Sequence, residues 1–597
     1  MLWTICFILS ISIVVLALCF IILSKTFINK RKKNIKVFNW LITAVFFSAG
    51  IAFYPIYDSI FEGDKFCIFK SIILSLHNAV RLFVVDADYT FIIDNVIGLS
   101  NGIQPFYTAY MAILFILSPF FTFGFILSFF KNLSATLKYC FSCFNEVYIF
   151  SELNEKSLTL AKSLKNNNFR RVVVFCDVFE NNEEKSFELV GEARDLGAIC
   201  FKKDILNVNF RFHSSRKGLF FFAIGADQRE NVNQALKLGE KYKDITNSHL
   251  YIFSNDIGSD LLLSTVNDNK MKVRRINEAQ SLINRELYYN PGKIFSNCIE
   301  DSSNIKNISA VIIGMGEYGS EMMKTLVWFG QMDGYKIKIN AFDQNTMAED
   351  EFAMQCPEII DPKYNKVQRS GEAYYDVTIQ SNINVDSRSF IEKIRAIPDV
   401  TYVFVSLGSD EKNIKTAVDL RMTFERMNIK PIIQAVVHNT GLAKSLNSIT
   451  NYRGQKYDID FIGDFESVYS EAVIIDSPLE DEALCRHLKW GSEDEFWKYE
   501  YNYRSSVASA IHMRARIACK IPGAGKKEEE LTKEEIDIIE NLEHRRWNAY
   551  MRSQGYIYSG SKDKSSRNDL GKMHHDLVVF DELSEEDKRK DSRVGSK

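Results

Sequence analysis

Neither sign of charge is in excess in this chain: 73 Lys and Arg stand against 76 Asp and Glu, a net of −3 over 597 residues, and that balance gives no pull toward nucleic acid. A disulfide framework is also missing. The eleven cysteines are scattered, some of them, such as Cys6 and Cys19, inside apolar runs, which suits a body held in a reducing cytosol. Cys140 and Cys143 make one CxxC with no second pair and no histidine nearby, so the spacing gives two thiols rather than a metal site. No basic residue precedes the apolar run from Leu2 to Ser24, and Lys25, Lys30, Arg31, Lys32 and Lys33 follow it, the wrong order for a cleaved signal peptide. No acid–base or nucleophile constellation stands beside the sharpest motif, a glycine-rich turn, so the chain is not expected to be an enzyme.

What is present begins with a membrane-like quarter. The chain is too long for one core, and its first 135 residues are rich in Phe and Ile. At about 1.5 Å per residue, the run at 2–24 covers a hydrocarbon core of about 30 Å; further spans are expected at 37–57 and 106–130. The basic 25–36 loop, with Lys131 and Lys138 after the third span, places those ends in the cytosol. The prediction is a multi-pass protein of the inner or plasma membrane, in contact with lipid, N-terminus outside and C-terminal domains cytoplasmic. Between the second and third spans, 66–85 is apolar but carries Lys70, His77 and Arg81, and reads as a re-entrant or amphipathic helix. This layout, followed by Val96-Ile97-Gly98-Leu99-Ser100 and then Pro105, resembles the pore module of two-span potassium channels. It departs from it where Val96 replaces a threonine and Ser100 a glycine. The resemblance implies a cation-channel-like pore formed by an oligomer, a dimer or tetramer, with Val96, Ile97, Gly98, Leu99, Ser100 and Asp94 as candidate lining.

The glycine-rich turn is Gly314-Met315-Gly316-Glu317-Tyr318-Gly319. An apolar run at 310–313 precedes it, a helical pattern at 320–329 follows, and a second apolar run at 336–342 ends in Asp343. Strand, turn, helix, strand and acid in that order predict a Rossmann-type fold. Gly314 allows the tight turn, Gly316 lets backbone N–H groups approach a pyrophosphate, Gly319 lets helix and strand pack closely, and Asp343 is placed for a ribose hydroxyl. The ligand this pattern expects is NAD(H) or another adenine nucleotide.

An earlier stretch repeats the order without the glycines. Strands are expected at 146–150 and 171–175, the second ending at Asp177, with a helix at 155–164 between them, but the turn reads Ser151-Glu152-Leu153-Asn154. A pyrophosphate there would meet side chains, so this copy is expected to be structural. The segments Leu196-Gly197-Ala198 and 219–224, then Gly225-Ala226-Asp227 leading to Asn231, resemble the TrkA-N-type domain of regulators of potassium conductance. Val403 to Gly408 and on through Asp410 to Asn413 echo that stretch, which makes Asn231 and Asn413 equivalent and indicates an internal duplication. The resemblance implies two doubly wound domains, 145–291 and 307–477, that pair and assemble beneath a pore. Asp410 and Asn413 would stand at the carboxyl end of a strand, where open α/β sheets hold ligands; the other reading of Asp410 is a helix cap.

A helical connector is expected at 478–530. Beyond it, Thr532 to Glu535 form a capping box, and Leu542-Glu543-His544-Arg545-Arg546-Trp547, Gly555-Tyr556-Ile557-Tyr558, His574 and Phe580-Asp581-Glu582-Leu583 resemble the ryanodine-receptor-type (RyR) repeat. His575 and Val579 stand where that repeat has prolines. The resemblance implies a small mainly α-helical domain at 531–597 for nucleotide binding or docking, with His544, Arg546, Trp547 and His574 as the groups for a ligand. The fold class is thus a helical transmembrane domain, two Rossmann-like domains and a small helical domain. The expected function is to sense a cytosolic nucleotide and gate an oligomeric pore. A nucleotide-activated membrane effector, as in bacterial defence, and a membrane-tethered scaffold are the alternatives, and a membrane-anchored NAD-dependent oxidoreductase fits less well.

Overall fold

The computed structural model describes residues 2–27, 34–84, 86–96, 102–129, 131–142, 144–178, 184–210, 217–255, 270–361 and 374–595. They divide into two compact units, Met1–Ser142 with Phe179–Lys202, and Cys143–Val178 with Lys203–Lys597.

The first unit is built on the helices Leu2–Phe27, Asn34–Ile60, Cys67–Val84, Tyr89–Val96 and Gln104–Phe129. Cys67–Val84 and Gln104–Thr122 are long and apolar enough to cross a membrane, and Leu2–Ala17 is a shorter apolar stretch. The expected 37–57 span lies within Asn34–Ile60, which does not join those two among the described residues. Cys67–Val84 has two unlike faces, in keeping with the amphipathic element expected there, and is also long and apolar enough to cross a membrane. Its buried face is Ser71, Ser75, Asn78, Ala79 and Leu82, while Ile68, Phe69, Ile72, Ile73, Val80 and Val84 are exposed. Small and polar groups point inward and apolar ones outward, the inverse of a helix in water and the pattern by which helices pack in lipid. Its polar groups are satisfied locally: Lys70 pairs with Asp64, Arg81 with Asp86 at 2.9 Å, and the Asn78 amide donates to the Tyr57 hydroxyl. The bundle interior also holds a polar node, with Ser10 Oγ 2.9 Å from both Ser48 Oγ and the Tyr110 hydroxyl.

The second unit contains two parallel sheets, consistent with Rossmann-like domains. In the first lobe, Val172–Phe175, Val147–Phe150, Leu219–Ala223, Ser248–Phe253 and Lys272–Ile276 lie side by side in that order. In the second lobe the order is Asp376–Gln380, Tyr335–Phe342, Lys306–Ile313, Tyr402–Val405, Ile432–Val436 and Ile459–Ile462. These strands read as near-continuous apolar runs because helices cover both faces. Val311, Ile313, Val403, Val405 and Phe424 form the second lobe's core. The order reverses beside the strand that leads into the glycine turn, at the crevice where such sheets hold ligands.

The lobes are paired reciprocally. Helix Glu155–Asn167 of the first packs on Phe465–Val468 and Glu471–Ile474 of the second, and helix Glu317–Phe329 of the second packs on Glu278–Tyr289 of the first. Arg171 and the buried Glu471 close one seam at 2.5 Å. Connector helices Pro478–His487 and Glu500–Ala518 lead to the long helix Lys533–Ser553, which carries the expected capping box between Thr532 and Glu535. That helix packs on Glu317–Phe329, and its fully buried Arg552 pairs at 2.8 Å with fully buried Glu358 of the second lobe.

Candidate functional site

Two sites carry the sequence-derived candidates. At the glycine turn, the three glycines differ sharply in what they do. Gly314 has φ +90°, and a Cβ there would lie 2.3 Å from the Ser406 carbonyl oxygen. A Cβ on Gly319 would lie 1.7 Å from the Gly314 carbonyl oxygen. Both glycines are therefore required by close backbone approach. Gly316 meets nothing within 4 Å; it is the N-cap of helix Glu317–Phe329, whose N-terminus has no side-chain cap. Its first N–H groups are left for solvent or a ligand.

Asp343 reaches back to this turn. Its carboxylate accepts from Met315 N at 2.5 Å and from Asn345 N at 2.6 Å. A cleft of about 510 Å³ lies over Gly316, walled by Ser320, Glu321, Lys324 and Glu351 and by Gln228, Asn255 and Asn277 of the first lobe. Glu317 accepts from Asn255 Nδ2 at 2.7 Å and Gln228 Nε2 at 3.4 Å, so the turn is tied to the opposite lobe. Three glutamates against Lys324 make this cleft acidic, and Lys324 is already held by Glu321 at 3.1 Å and Gln355 at 3.2 Å.

Asp410 and Asn413 are at the carboxyl end of their strand, as expected, but their side chains are engaged within the lobe. The Asn413 amide, 3% exposed, accepts from Leu407 N and donates to the Val436 carbonyl. Asn231 does the same in the first lobe, accepting from Gly225 N and donating to the Phe253 carbonyl. The two residues are equivalent, and both pin neighbouring strand ends. Asp410 accepts from His438 N and Asn439 N, each at 3.0 Å, while the cap of its helix is Ser409.

The C-terminal candidates come together. Lys533–Ser553 supplies His544, Arg546 and Trp547, and the chain returning through Met573–His574 supplies His574; all four line a cleft of about 220 Å³ with Arg486, Trp490, Tyr501, Arg567 and Lys590. Arg546, 1% exposed, donates through Nε and Nη2 to Glu543 Oε1 at 3.1 and 2.7 Å. Its Nη1 has no partner. Burial alone would push the Glu543 carboxyl up, but the Arg546 and Arg516 guanidiniums hold it well below the usual carboxylate range, so it orients Arg546 as a fixed anion. His544 is committed to the Val578 carbonyl at 2.8 Å and to Asp591 at 3.3 Å and serves as wall. Burial, then the nearby Arg567, pulls His574 down to about 3, leaving a neutral ring edge-on to Trp547 at 5.0 Å. The cleft combines aromatic walls and a buried guanidinium with a free edge; its rim cations Arg567 and Lys590 pair with Asp569 at 3.0 Å and Asp587 at 2.7 Å, and Asp576 and Asp591 also line it. That set suits a planar heterocycle bearing an anionic group.

The motif reading missed Trp490, Tyr501, Arg486, Arg567 and Lys590, which come from the connector, a loop and the last helix. Arg486, Trp490 and Tyr501 were signalled only by the aromatic and basic composition of the connector, and Lys590 only by its place in the basic stretch at 588–593. Of the candidate pore residues, Ile97, Gly98, Leu99 and Ser100 lie outside the described residues; Val96 is buried in the bundle core, and Asp94 is exposed. Comparison with protein-family models and with curated proteins finds no match.

Proposed function

We propose that this chain is a membrane-anchored receptor for a cytosolic nucleotide, and that ligand binding in the second unit biases the conformation of the helical bundle. The observation that carries the reading is the cleft around Arg546, where a buried donor without a partner stands among aromatic walls of nucleobase size. A buried guanidinium edge left without a bond costs free energy that an anionic ligand would recover. The sequence likeness to the RyR repeat supports the same site, and the likeness to TrkA-N-type regulators supports paired lobes as the transmitting element. The N-terminus lies outside and the second unit in the cytosol of the inner or plasma membrane, following the basic loop residues. In this reading the chain transduces a signal rather than catalysing a reaction.

Output through an oligomeric cation-conducting pore is the form of this reading that the 96–100 stretch supports. The interior of one bundle is filled by Phe53, Tyr107, Met111 and Leu114, so a conduit requires several copies around an axis. Any such shift is limited by the ligand's difference in affinity between two states. A nucleotide-activated effector that permeabilises the membrane uses the same parts.

The test is to release small molecules from the detergent-purified full chain, identify them by mass spectrometry, and titrate the stripped protein with adenine nucleotides and NAD(H). The expected result is micromolar or tighter binding that Trp547→Ala weakens at least tenfold. Absence of bound nucleotide together with absence of binding across that panel sinks the receptor reading. Ligand-dependent ion flux in liposomes supports the pore; binding without flux moves the output to a docked partner.

A further inference from the structure

The connector borders a second, smaller cavity of about 80 Å³ where three bodies meet: the last strand and helix of the first lobe, helix Glu317–Phe329 of the second, and connector helix Glu500–Ala518. A single buried water needs roughly 10–15 Å³ by this kind of measure, so the space holds several waters or one tetrahedral oxyanion. Five cations line it, Arg274, Arg275, Arg285, Lys324 and Arg504, against three acids, Glu321, Glu480 and Glu500. Each acid already has a cation, Glu321 with Lys324, Glu480 with Arg274 and Glu500 with Arg504; of the other two cations, Arg285 faces Glu286, outside the lining, at 3.0 Å. Burial pushes the Glu480 carboxyl up as well, and this weakens its neutralisation of Arg274.

Arg274 is the organising group. Its guanidinium carbon lies 4.1 Å from the ring centroids of both Trp497 and Tyr503. Nε faces Glu480 at 3.3 Å, and Nη1 reaches the Val273 and Trp497 carbonyls at 3.4 and 3.5 Å. Nη2 is buried and has no partner. With its side chain 7% exposed and its rotamer clamped by two rings, Arg274 presents one donor edge at little further entropic cost. Buried donors are seldom left unpaired without a reason.

We propose that this junction cavity binds a phosphoryl anion on the free Nη2 edge of Arg274. The site is separate from the C-terminal cleft and does not depend on it. Asn277, Glu321 and Lys324 line both this cavity and the cleft over Gly316. The anion therefore has two sources: free inorganic phosphate, or the phosphate end of a nucleotide whose other end lies over the glycine turn. Either way it joins both lobes to the connector, the three bodies whose arrangement a receptor must change.

The experiment measures thermal unfolding of the detergent-purified full chain with inorganic phosphate, and separately with AMP, against chloride at matched ionic strength. A saturable rise in Tm with at least one of the two is expected in the wild type. Arg274→Gln should weaken that response at least tenfold. Since Arg274 also packs between two rings, Ser281→Leu provides a second variant, filling the cavity from a helix without touching the rings, and it should abolish the response. Gly316→Glu decides the source: loss of the AMP response with the phosphate response intact assigns a free anion, and an AMP response alone, lost in Gly316→Glu, assigns a nucleotide tail. No saturable shift with either probe, or a shift of equal size in Ser281→Leu, overturns the proposal.

Discussion

The two lobes of the second unit start from the same strand–turn–helix plan and finish it in opposite ways. In the first, the helix N-terminus closes on itself: Asn154 Oδ1 accepts from Ser157 N at 2.9 Å and Ser157 Oγ accepts from Asn154 N at 2.9 Å. Ser151 Oγ accepts from Ile224 N at 2.9 Å, and Glu152 accepts from Ala226 N at 3.2 Å. Side chains of the turn itself thus stand where a phosphate would be received. In the second lobe the same region is bare backbone, with two glycines demanded by packing, a third facing open space, and a helix end that no side chain caps. A turn can be satisfied by its own side chains or left for a ligand, and this molecule carries one of each.

The sharpest break of that comparison is Gly319→Ala. Overpacking usually costs about 1–3 kcal/mol, and a contact of 1.7 Å against backbone gives the added methyl no flexible neighbour to displace. We expect a loss of about 3 kcal/mol or more, read as a lowered urea midpoint and as loss of near-ultraviolet circular dichroism from the second lobe's aromatics. Leu153→Gly in the first lobe, whose turn does not depend on close backbone approach, should cost far less.

A second contrast lies in the sheets. By register, His249 beside Phe220 occupies the position that Ile432 beside Tyr402 occupies in the second lobe. Its ring stacks on Phe220 at 4.7 Å. Burial, then Lys272 and Arg274, pulls His249 down to about 4, whereas the unfolded chain titrates it near 6.5. Between those values the unfolded state binds the proton and the folded state does not, so stability falls as pH drops from about 6.5 to about 4, by at most about 1.4 kcal/mol per pH unit. His249→Phe keeps a stacked ring and should remove that part of the slope. Urea midpoints of the two proteins would then agree at pH 7.5 and separate at pH 5; parallel curves would show that this imidazole does not set the dependence.

How much of this was legible follows from range in sequence. Strand, turn and helix order is local, so the strand ends at Phe150, Phe175, Ile313 and Phe342 and the separate roles of Gly314 and Gly319 could be read from short patterns. The equivalence of Asn231 and Asn413 was legible as a repeat, yet their task was not, because the carbonyls they pin belong to strands more than 20 residues away. Asp410 looked like a cap by position, and only the fold brings His438 N and Asn439 N to it. The two faces of Cys67–Val84 were legible in its composition, while the pairing of Lys70 and Arg81 with Asp64 and Asp86 appears only in three dimensions. The Arg546 cleft was half legible: one helix supplies three groups, and the rest arrive from segments that no spacing connects.

Smaller effects refine the contrast between the turns. Asn154→Ala removes a cap and should cost about 1 kcal/mol, with amide exchange rising in helix Glu155–Asn167. Gly316→Ala should change stability by no more than about 0.5 kcal/mol, because its Cβ would enter open space and its φ of −66° suits any L-residue. That near-zero result is the informative one. Neither the backbone nor the packing requires Gly316, so Gly316→Ala should leave the unfolding midpoint alone, and on the proposed reading it should weaken nucleotide binding at the cleft. If the midpoint falls by more than about 1 kcal/mol instead, Gly316 belongs with Gly314 and Gly319 as a packing glycine, and both lobes would be self-contained.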